Sequence, residues 1–217
     1  MNLMKNIKYV IFDFDGTIAD TMPYSFGKSL ELLRKEKIDT PEKQIIKKIR
    51  SSNYIELMKE FKLSWLKIPF ILRIIEQTQK DLYFYIEKIR IFPGMKKFLF
   101  DLKKERYKLA IISSNRKENI DKFIKFNKLD VFDFVHGKTD LFGKAGYLKK
   151  FLKDFSLKKS EVIYIGDEIR DIEACKKVGI KIIGVSWGLH MVKALKKNGV
   201  DFIVKKPSEI LKIINEN

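Results

Sequence analysis

Tyr9-Val10-Ile11-Phe12-Asp13-Phe14-Asp15-Gly16-Thr17 decides the fold of this chain. Four apolar residues read as a buried β-strand, and they run directly into an acidic turn. Side chains alternate along a strand, so Asp13 and Asp15 point to the same side at its C-terminal end. Carboxylates this close repel one another and leave water at a cost. A bound cation removes much of that cost, which makes a metal the first hypothesis. Gly16 frees the backbone to turn sharply. The competing reading is a solvated turn after an ordinary strand.

Further strands are expected outward from this one. Tyr107–Ile112 ends at Ser113-Ser114-Asn115, and Glu161–Ile165 ends at Gly166-Asp167. Phe132–Val135, Ile180–Val185 and Phe202–Val204 complete the set. Helical periodicity lies between them over Lys117–Phe126, Ala145–Phe155, Ile169–Val178 and Met191–Lys197. This alternation predicts an α/β fold with a doubly wound parallel sheet.

The interval from Thr21 to Arg90 differs. It carries charged, amphipathic helical patterns and no clear strand. Pro41 with Glu42 suits a helix start, and Pro69 suits a second start or a kink. Phe92-Pro93-Gly94 then punctuates a return to the α/β pattern. The expected organisation is an α/β core from residues 1–19 and 92–217, with an α-helical unit, 20–91, inserted between the first and second strands. Asn215 to Asn217 are expected to fray.

At 217 residues the chain can bury one full core plus a smaller accessory unit. It reads as a soluble globular protein, because no apolar run approaches the roughly 20 residues of a membrane span. The N-terminus lacks a small-residue cleavage site, so no secretory signal is expected. The single cysteine, Cys175, excludes an intramolecular disulfide and suits a reducing cytoplasm. Net charge is +17, from 45 basic and 28 acidic residues. The excess is mostly lysine, spread through helical stretches such as Lys103-Lys104 and Lys176-Lys177. Arginine, the preferred residue for bidentate phosphate and base contacts, is scarce. The pattern reads as a solvated lysine-rich surface rather than a nucleic-acid patch, with a positive field that favours anionic substrates.

In an open parallel sheet, ligands bind beyond the carboxyl ends of the strands. The first strand ends in Asp13 and Asp15, the second in Ser113, and the fourth in Asp167, followed by Glu168 and Asp171. Lys144 precedes the helix after the third strand. Carboxylates, a hydroxyl and a lysine therefore converge on one sheet edge, a constellation for a hard cation and a phosphate.

Together these residues resemble the haloacid dehalogenase superfamily of phosphohydrolases. Asp13-Phe14-Asp15-Gly16-Thr17 looks like its first motif, Ser113 after Leu109-Ala110-Ile111-Ile112 its second, Lys144 in Phe142-Gly143-Lys144-Ala145 its third, and Gly166-Asp167-Glu168-Ile169-Arg170-Asp171 its fourth. The inserted helical unit is similar to the family's helical cap. Pro93-Gly94 and Gly184-Val185-Ser186-Trp187-Gly188 resemble the phosphoglycolate phosphatase-like branch. The resemblance implies a Mg²⁺-dependent phosphatase acting on a small phosphorylated metabolite, such as phosphoglycolate, a sugar phosphate, a nucleotide or pyrophosphate. Asp13 would be the nucleophile that forms an aspartyl-phosphate, and Asp15 the general acid and base. Mg²⁺ would be held by Asp13, the backbone carbonyl of Asp15, and Asp167. Ser113, Lys144 and backbone groups near Phe14 and Ser114 would hold phosphate oxygens. Asp171 would be an auxiliary ligand that also orients Lys144, while Gly16 and Thr17 complete the turn.

Several alternatives are open in the sequence. Ser114 is one residue from Ser113, but its side chain is expected on the opposite face. Lys138 competes with Lys144, whose Gly143-Lys144-Ala145 context favours it. Glu168 either reaches the metal through water or faces solvent, and Asp171 could simply begin a helix, where acids are favoured. Arg50, Ser51 and Tyr54 are candidate contacts from the insert. Asp15 argues against dehalogenation, which has no alkoxide to protonate. A phosphomutase would use the same aspartyl-phosphate, but Met22-Pro23-Tyr24-Ser25 lacks the histidine such enzymes favour. A non-enzymatic basic phosphate- or nucleic-acid-binding protein is the reading from another class. Gly137-Lys138-Thr139 imitates the end of a P-loop, yet Phe132 occupies the required first glycine position. His136 and His190 lack a nucleophile–base arrangement. Cys175 reads as a packing residue and Trp187 as part of the site's rim. Oligomeric state is not legible in the sequence.

Overall fold

The computed structural model describes residues 6–35, 42–52, 56, 68–138 and 143–216. Strand β1 (Tyr9–Phe12) is followed by helices α1 (Met22–Lys35), α2 (Glu42–Ile49) and α3 (Ile68–Tyr85). A single 3₁₀ turn then leads to α4 (Met95–Lys104), β2 (Lys108–Ile112), α5 (Lys117–Asn127) and β3 (Phe134–His136). After these come α6 (Lys144–Asp154), β4 (Val162–Gly166), α7 (Ile169–Val178) and β5 (Lys181–Val185). The chain ends with α8 (Val192–Lys197), β6 (Phe202–Val204) and α9 (Ser208–Glu216).

The six strands form one sheet in the order β3-β2-β1-β4-β5-β6, and every neighbouring pair is parallel. The chain winds from β1 out to β3 on one side, then returns to place β4 on β1's other flank. The strand order reverses between β1 and β4, where such sheets open a crevice. Alternation along each strand feeds two core layers. Val10, Phe12, Leu109, Ile111, Ile163 and Ile165 enter one layer. Ile11, Ala110, Ile112, Val162 and Tyr164 enter the other. Both faces are covered, which is why the strands read as continuous apolar runs rather than alternating ones.

The excursion between β1 and β2 leaves and returns at one point. Ala19 bridges Ile91 in antiparallel fashion, the Asp20 N–H donates to the Arg90 carbonyl at 2.9 Å, and that of Phe92 donates to Ile18 at 3.1 Å. Pro69 lies in the first turn of α3, where its missing N–H leaves no helix bond unmade. The last turns of this excursion join the sheet's own core. Leu82, Ile86 and Ile89 belong to the same buried cluster as Val10 and Phe12.

Periodicity alone did not reveal two helices. Gly94, at φ 79°, precedes α4, which buries Met95, Phe98, Leu99 and Leu102. Ile210 and Ile214 of α9 join the same layer. Asn215 lies in α9, and its side-chain oxygen accepts the Tyr107 hydroxyl at 2.9 Å. Strand β3 begins at Phe134 rather than Phe132. The Asp133 carboxylate instead accepts the Leu109 N–H and pairs with Lys103 and Lys108. Pro41 and Asn217 lie outside the described residues. Among the described residues no helix is long and apolar enough to cross a membrane. Several surface lysines pair one helical turn away, as in Lys117–Asp121 and Lys150–Asp154. This is the pattern of a solvated face.

Because Ile86 is fully buried in the sheet's core, Ile86→Ala is expected to cost roughly 2–5 kcal/mol. That corresponds to a melting temperature lowered by roughly 5–15 °C, checked by calorimetry. An unchanged midpoint would show that the excursion's final turn does not support the core.

Candidate active site

The sheet gathers these polar side chains beyond the C-terminal ends of β1 and β4 because each lies just past a strand end or in the first turn of a helix. The Asp13 N–H donates to the Ile165 carbonyl at 2.9 Å, extending the β1–β4 ladder by one step. The Asp13 carboxylate then accepts the Phe14 N–H at 2.7 Å and the Lys144 ammonium at 2.9 Å. Lys144, at the start of α6, also donates to Asp171 at 2.5 Å. Asp171 lies in the first turn of α7, and its other oxygen accepts the Glu168 N–H. Its capping role and its pairing with Lys144 therefore coexist.

Asp167 follows β4. One of its oxygens accepts the Thr17 hydroxyl at 2.7 Å and the other the Leu189 N–H at 2.7 Å. Gly16, at φ 70°, lies so close to this carboxylate that a Cβ there would overlap it. Ligand atoms of Asp13, Asp167 and Asp171 all lie within 4.8 Å of one another, and all three residues are buried.

The electrostatics follow from that crowding. Burial, reinforced by Glu168, Asp13 and Asp171, pushes the Asp167 carboxyl well above the usual carboxylate range. Burial raises Asp171 to about 7 despite Lys144. Burial alone would lower the Lys144 ammonium, but Asp13 and Asp171 outweigh it and raise it. Glu168 is buried too, yet the Arg170 guanidinium at 2.6 Å holds it down at about 2. The protein thus concentrates more negative charge than Lys144 neutralises. An all-oxygen set of crowded, buried carboxylates is what a hard divalent cation requires, so the residues present fit one.

Asp15 stands apart from that set. Its carboxylate accepts the Thr21 hydroxyl at 2.7 Å and the Asn115 amide at 2.9 and 3.0 Å. Burial lifts it to about 6, against the pull of the Thr21 hydrogen bond. The Asn115 oxygen accepts the Arg116 N–H at 2.7 Å and the Asn119 amide at 2.8 Å, so its NH₂ must face Asp15. The Asn119 amide also donates to the Gln79 carbonyl, and the Gln79 amide donates to the Ser114 carbonyl at 3.2 Å. Helix α3 is thereby tied to the loop after β2. Thr21, Asn115 and Asn119 escaped the reading of the sequence. An asparagine two residues past a strand-end serine was the available signal.

The remaining candidates are placed as follows. Ser113 is fully buried at the end of β2, beside β1, and its hydroxyl accepts the Asn115 N–H at 3.2 Å. Ser114 is partly exposed. Lys138 is exposed, whereas Lys144 is buried among the acids. Arg50 reaches the loop after β5, and the Ser51 hydroxyl donates to Lys48 within its own helix end. Tyr54 and Phe142 lie outside the described residues. Trp187 donates its indole N–H to the Thr17 carbonyl at 3.2 Å and so fastens the rim to the first motif. Burial pushes the Cys175 thiol up, as befits a packing residue. His136 packs against the Tyr147 ring at 4.2 Å.

Among protein families, the one described as haloacid dehalogenase-like hydrolase matches residues 10–185. A phosphoglycolate phosphatase from Synechococcus elongatus is 26% identical over 209 residues, spanning 95% of this chain and 97% of its own. Pyrophosphatase PpaX from Bacillus cereus is 24% identical over 214 residues, spanning 97% of each. The crystal structure of a predicted phosphatase from Clostridium acetobutylicum superposes with a TM-score of 0.80 at 22% identity, covering 98% of this chain and 100% of that one.

If the carboxylate cluster takes a divalent cation, Mg²⁺ at a hundredfold excess over its dissociation constant is expected to stabilise the fold by about 2.7 kcal/mol. That is roughly 5–10 °C in melting temperature, reversed by EDTA. Asp167→Asn is expected to abolish the response and, without metal, to melt no lower than the parent, since it removes a crowded buried charge. A Mg²⁺-insensitive parent would argue against the cation.

Proposed function

We propose that this chain, which belongs to the haloacid dehalogenase-like hydrolase family, is a Mg²⁺-dependent phosphatase for a small phosphomonoester, working through an aspartyl-phosphate. The observation that carries this reading is the convergence of Asp13, Lys144, Asp167 and Asp171 in one buried cluster at the β1–β4 crevice. The name phosphoglycolate phosphatase agrees with it, and the name pyrophosphatase agrees with the release of phosphate though not with an ester substrate.

On this reading an Asp13 carboxylate oxygen attacks phosphorus. A new O–P bond forms while the ester P–O bond breaks, and Asp15 gives its proton to the departing alkoxide. Water then attacks the aspartyl-phosphate, Asp15 takes a proton from it, and inorganic phosphate and free Asp13 are regenerated. Lys144 holds Asp13 in position and offers positive charge to the phosphoryl oxygens, with the Ser113 hydroxyl as a further donor. Asp13, the Asp15 carbonyl and Asp167 would hold the metal, with Asp171 as auxiliary ligand. Mg²⁺, when bound, supplies positive charge where phosphoryl oxygens accumulate negative charge. Thr21 and Asn115 fix the carboxyl of Asp15, which keeps the proton donor separate from the nucleophile. The helical segment 20–91 acts as the cap that shields the reaction from water. The buried thiol suits the cytoplasm.

The test is phosphate release from a panel including phosphoglycolate, pyrophosphate, sugar phosphates and nucleotides, with Mg²⁺ or EDTA. Asp13→Asn is expected to lose roughly 10³-fold or more in turnover with its fold intact. Asp15→Asn is expected to lose roughly 10²–10⁴-fold on alkyl phosphates. Formation of the aspartyl-phosphate should suffer less with an aryl ester, whose leaving group needs no proton. Release at the parent rate by Asp13→Asn would remove the nucleophile assignment. A folded parent silent across the panel would favour a binding protein.

A further inference from the structure

The loop after β5 is bonded on two sides. On its inner side it holds Asp167: the Leu189 N–H donates to a carboxylate oxygen at 2.7 Å, and the His190 N–H donates to the Asp167 carbonyl at 3.2 Å. Gly188 packs so tightly on the Asp167 side chain that any Cβ would overlap it. On its outer side it receives the end of α2. Arg50 donates from Nε to the Leu189 carbonyl at 3.0 Å and from Nη2 to the Gly188 carbonyl at 3.4 Å. The Met191 N–H donates back to the Arg50 carbonyl at 2.9 Å. A ring nitrogen of His190 lies 3.2 Å from the Ser52 carbonyl.

The inner and outer bonds share peptide groups. The Gly188 carbonyl and the Leu189 N–H are two ends of one planar unit, as are the Leu189 carbonyl and the His190 N–H. Arg50 therefore bonds the carbonyl ends of the same two units whose N–H ends grip Asp167. A cation on the carbonyl polarises the unit and makes its N–H a stronger donor, an effect that grows in a buried setting. The guanidinium fork also fixes the tilt of both planes, which a point charge cannot do.

We infer that Arg50 is a positioning residue for Asp167, acting from the helical insert through the Gly188–Leu189 and Leu189–His190 peptide groups to set the site's grip on its metal. The inference rests on the reading of Asp167 as a metal ligand. It gives the insert a role in building the metal site, distinct from contacting substrate.

The experiment is a calorimetric Mg²⁺ titration of the full chain without substrate, for the parent, Arg50→Ala, Arg50→Lys and Asp167→Asn, each checked for folding by circular dichroism. Arg50→Ala is expected to bind Mg²⁺ roughly tenfold more weakly, at the lower end of what outer-ring residues around a metal cost. Arg50→Lys, which can still reach one carbonyl, is expected to fall between it and the parent. The Mg²⁺-dependent rise in melting temperature is expected to shrink in the same order. Parent-like Mg²⁺ affinity in Arg50→Ala, with Asp167→Asn inactive in the titration, would overturn the inference alone. The same affinity, with only the KM for the phosphate ester raised in a parallel turnover assay of the same variants, would make Arg50 a substrate contact and also overturn it. A parent-like titration by Asp167→Asn would remove the metal reading itself.

Discussion

Three buried carboxylates clustered around one ammonium that pairs with only two of them set the terms for everything around them. Lys144 reaches Asp13 and Asp171, no ion pair to Asp167 occurs among the described residues, and all of these groups are withdrawn from water. Burying a charge is tolerable only where pairing and hydrogen bonds replace hydration. The structure meets that condition for each oxygen separately: Phe14 N–H for Asp13, the Thr17 hydroxyl and Leu189 N–H for Asp167, the Glu168 N–H for Asp171. All but the Thr17 hydroxyl are backbone groups, just past β1, at the start of α7 and in the loop after β5. They stay in place because the sheet and helices hold them, so the rigidity of the core is what makes the excess charge possible. A divalent cation at this point would complete the charge balance that the described residues leave short.

The parallel sheet is the economical way to assemble such donors. Each strand ends at the same edge, and each following helix begins there with unpaired N–H groups. Asp13 and Asp167 stand beyond neighbouring strands whose ladder is in register, Phe12 against Ile165. Ser113 follows the strand on β1's other flank. The long excursion leaves this edge and returns to it at the Ala19–Ile91 bridge. Its helices therefore stand beside the crevice without disturbing the register of the sheet.

Much of this was legible in the sequence for a physical reason. Strands buried on both faces leave continuous apolar runs, and those runs stop abruptly at Asp13, Ser113 and Asp167. Their ends mark the site because side chains there cannot be core. Helices α4 and α9 were not legible. Length does not explain this, since the helices over Ile169–Val178 and Val192–Lys197 are no longer than α4 and yet are legible; α4 instead follows directly on the Phe92-Pro93-Gly94 turn, and α9 sits where a chain end ordinarily frays. The support of Asp15 was hidden for a different reason. Thr21 and Asn115 come from separate segments, and Asn119 acts through Asn115, so no local spacing joins them. Position after a strand shows where a side chain stands, but only tertiary structure shows what orients it.

The insert's two attachments bring the same point to the backbone. On one flank Gln79 and Asn119 tie α3 to the loop that orients Asn115 against Asp15. On the other, Arg50 ties α2 to the loop that grips Asp167. In both cases the insert engages carbonyls, which carry no residue identity. At Leu189 and Met191 the connection uses peptide groups alone, so substitutions there that keep the loop's path leave it intact. Gly188 has no such freedom, since a Cβ would enter the space of the Asp167 side chain. Arg50 has none either, because its forked donors bridge two carbonyls at once. The setting of Asp167 thus involves a residue whose importance follows from where its hydrogen bonds end rather than from proximity to the carboxylate itself.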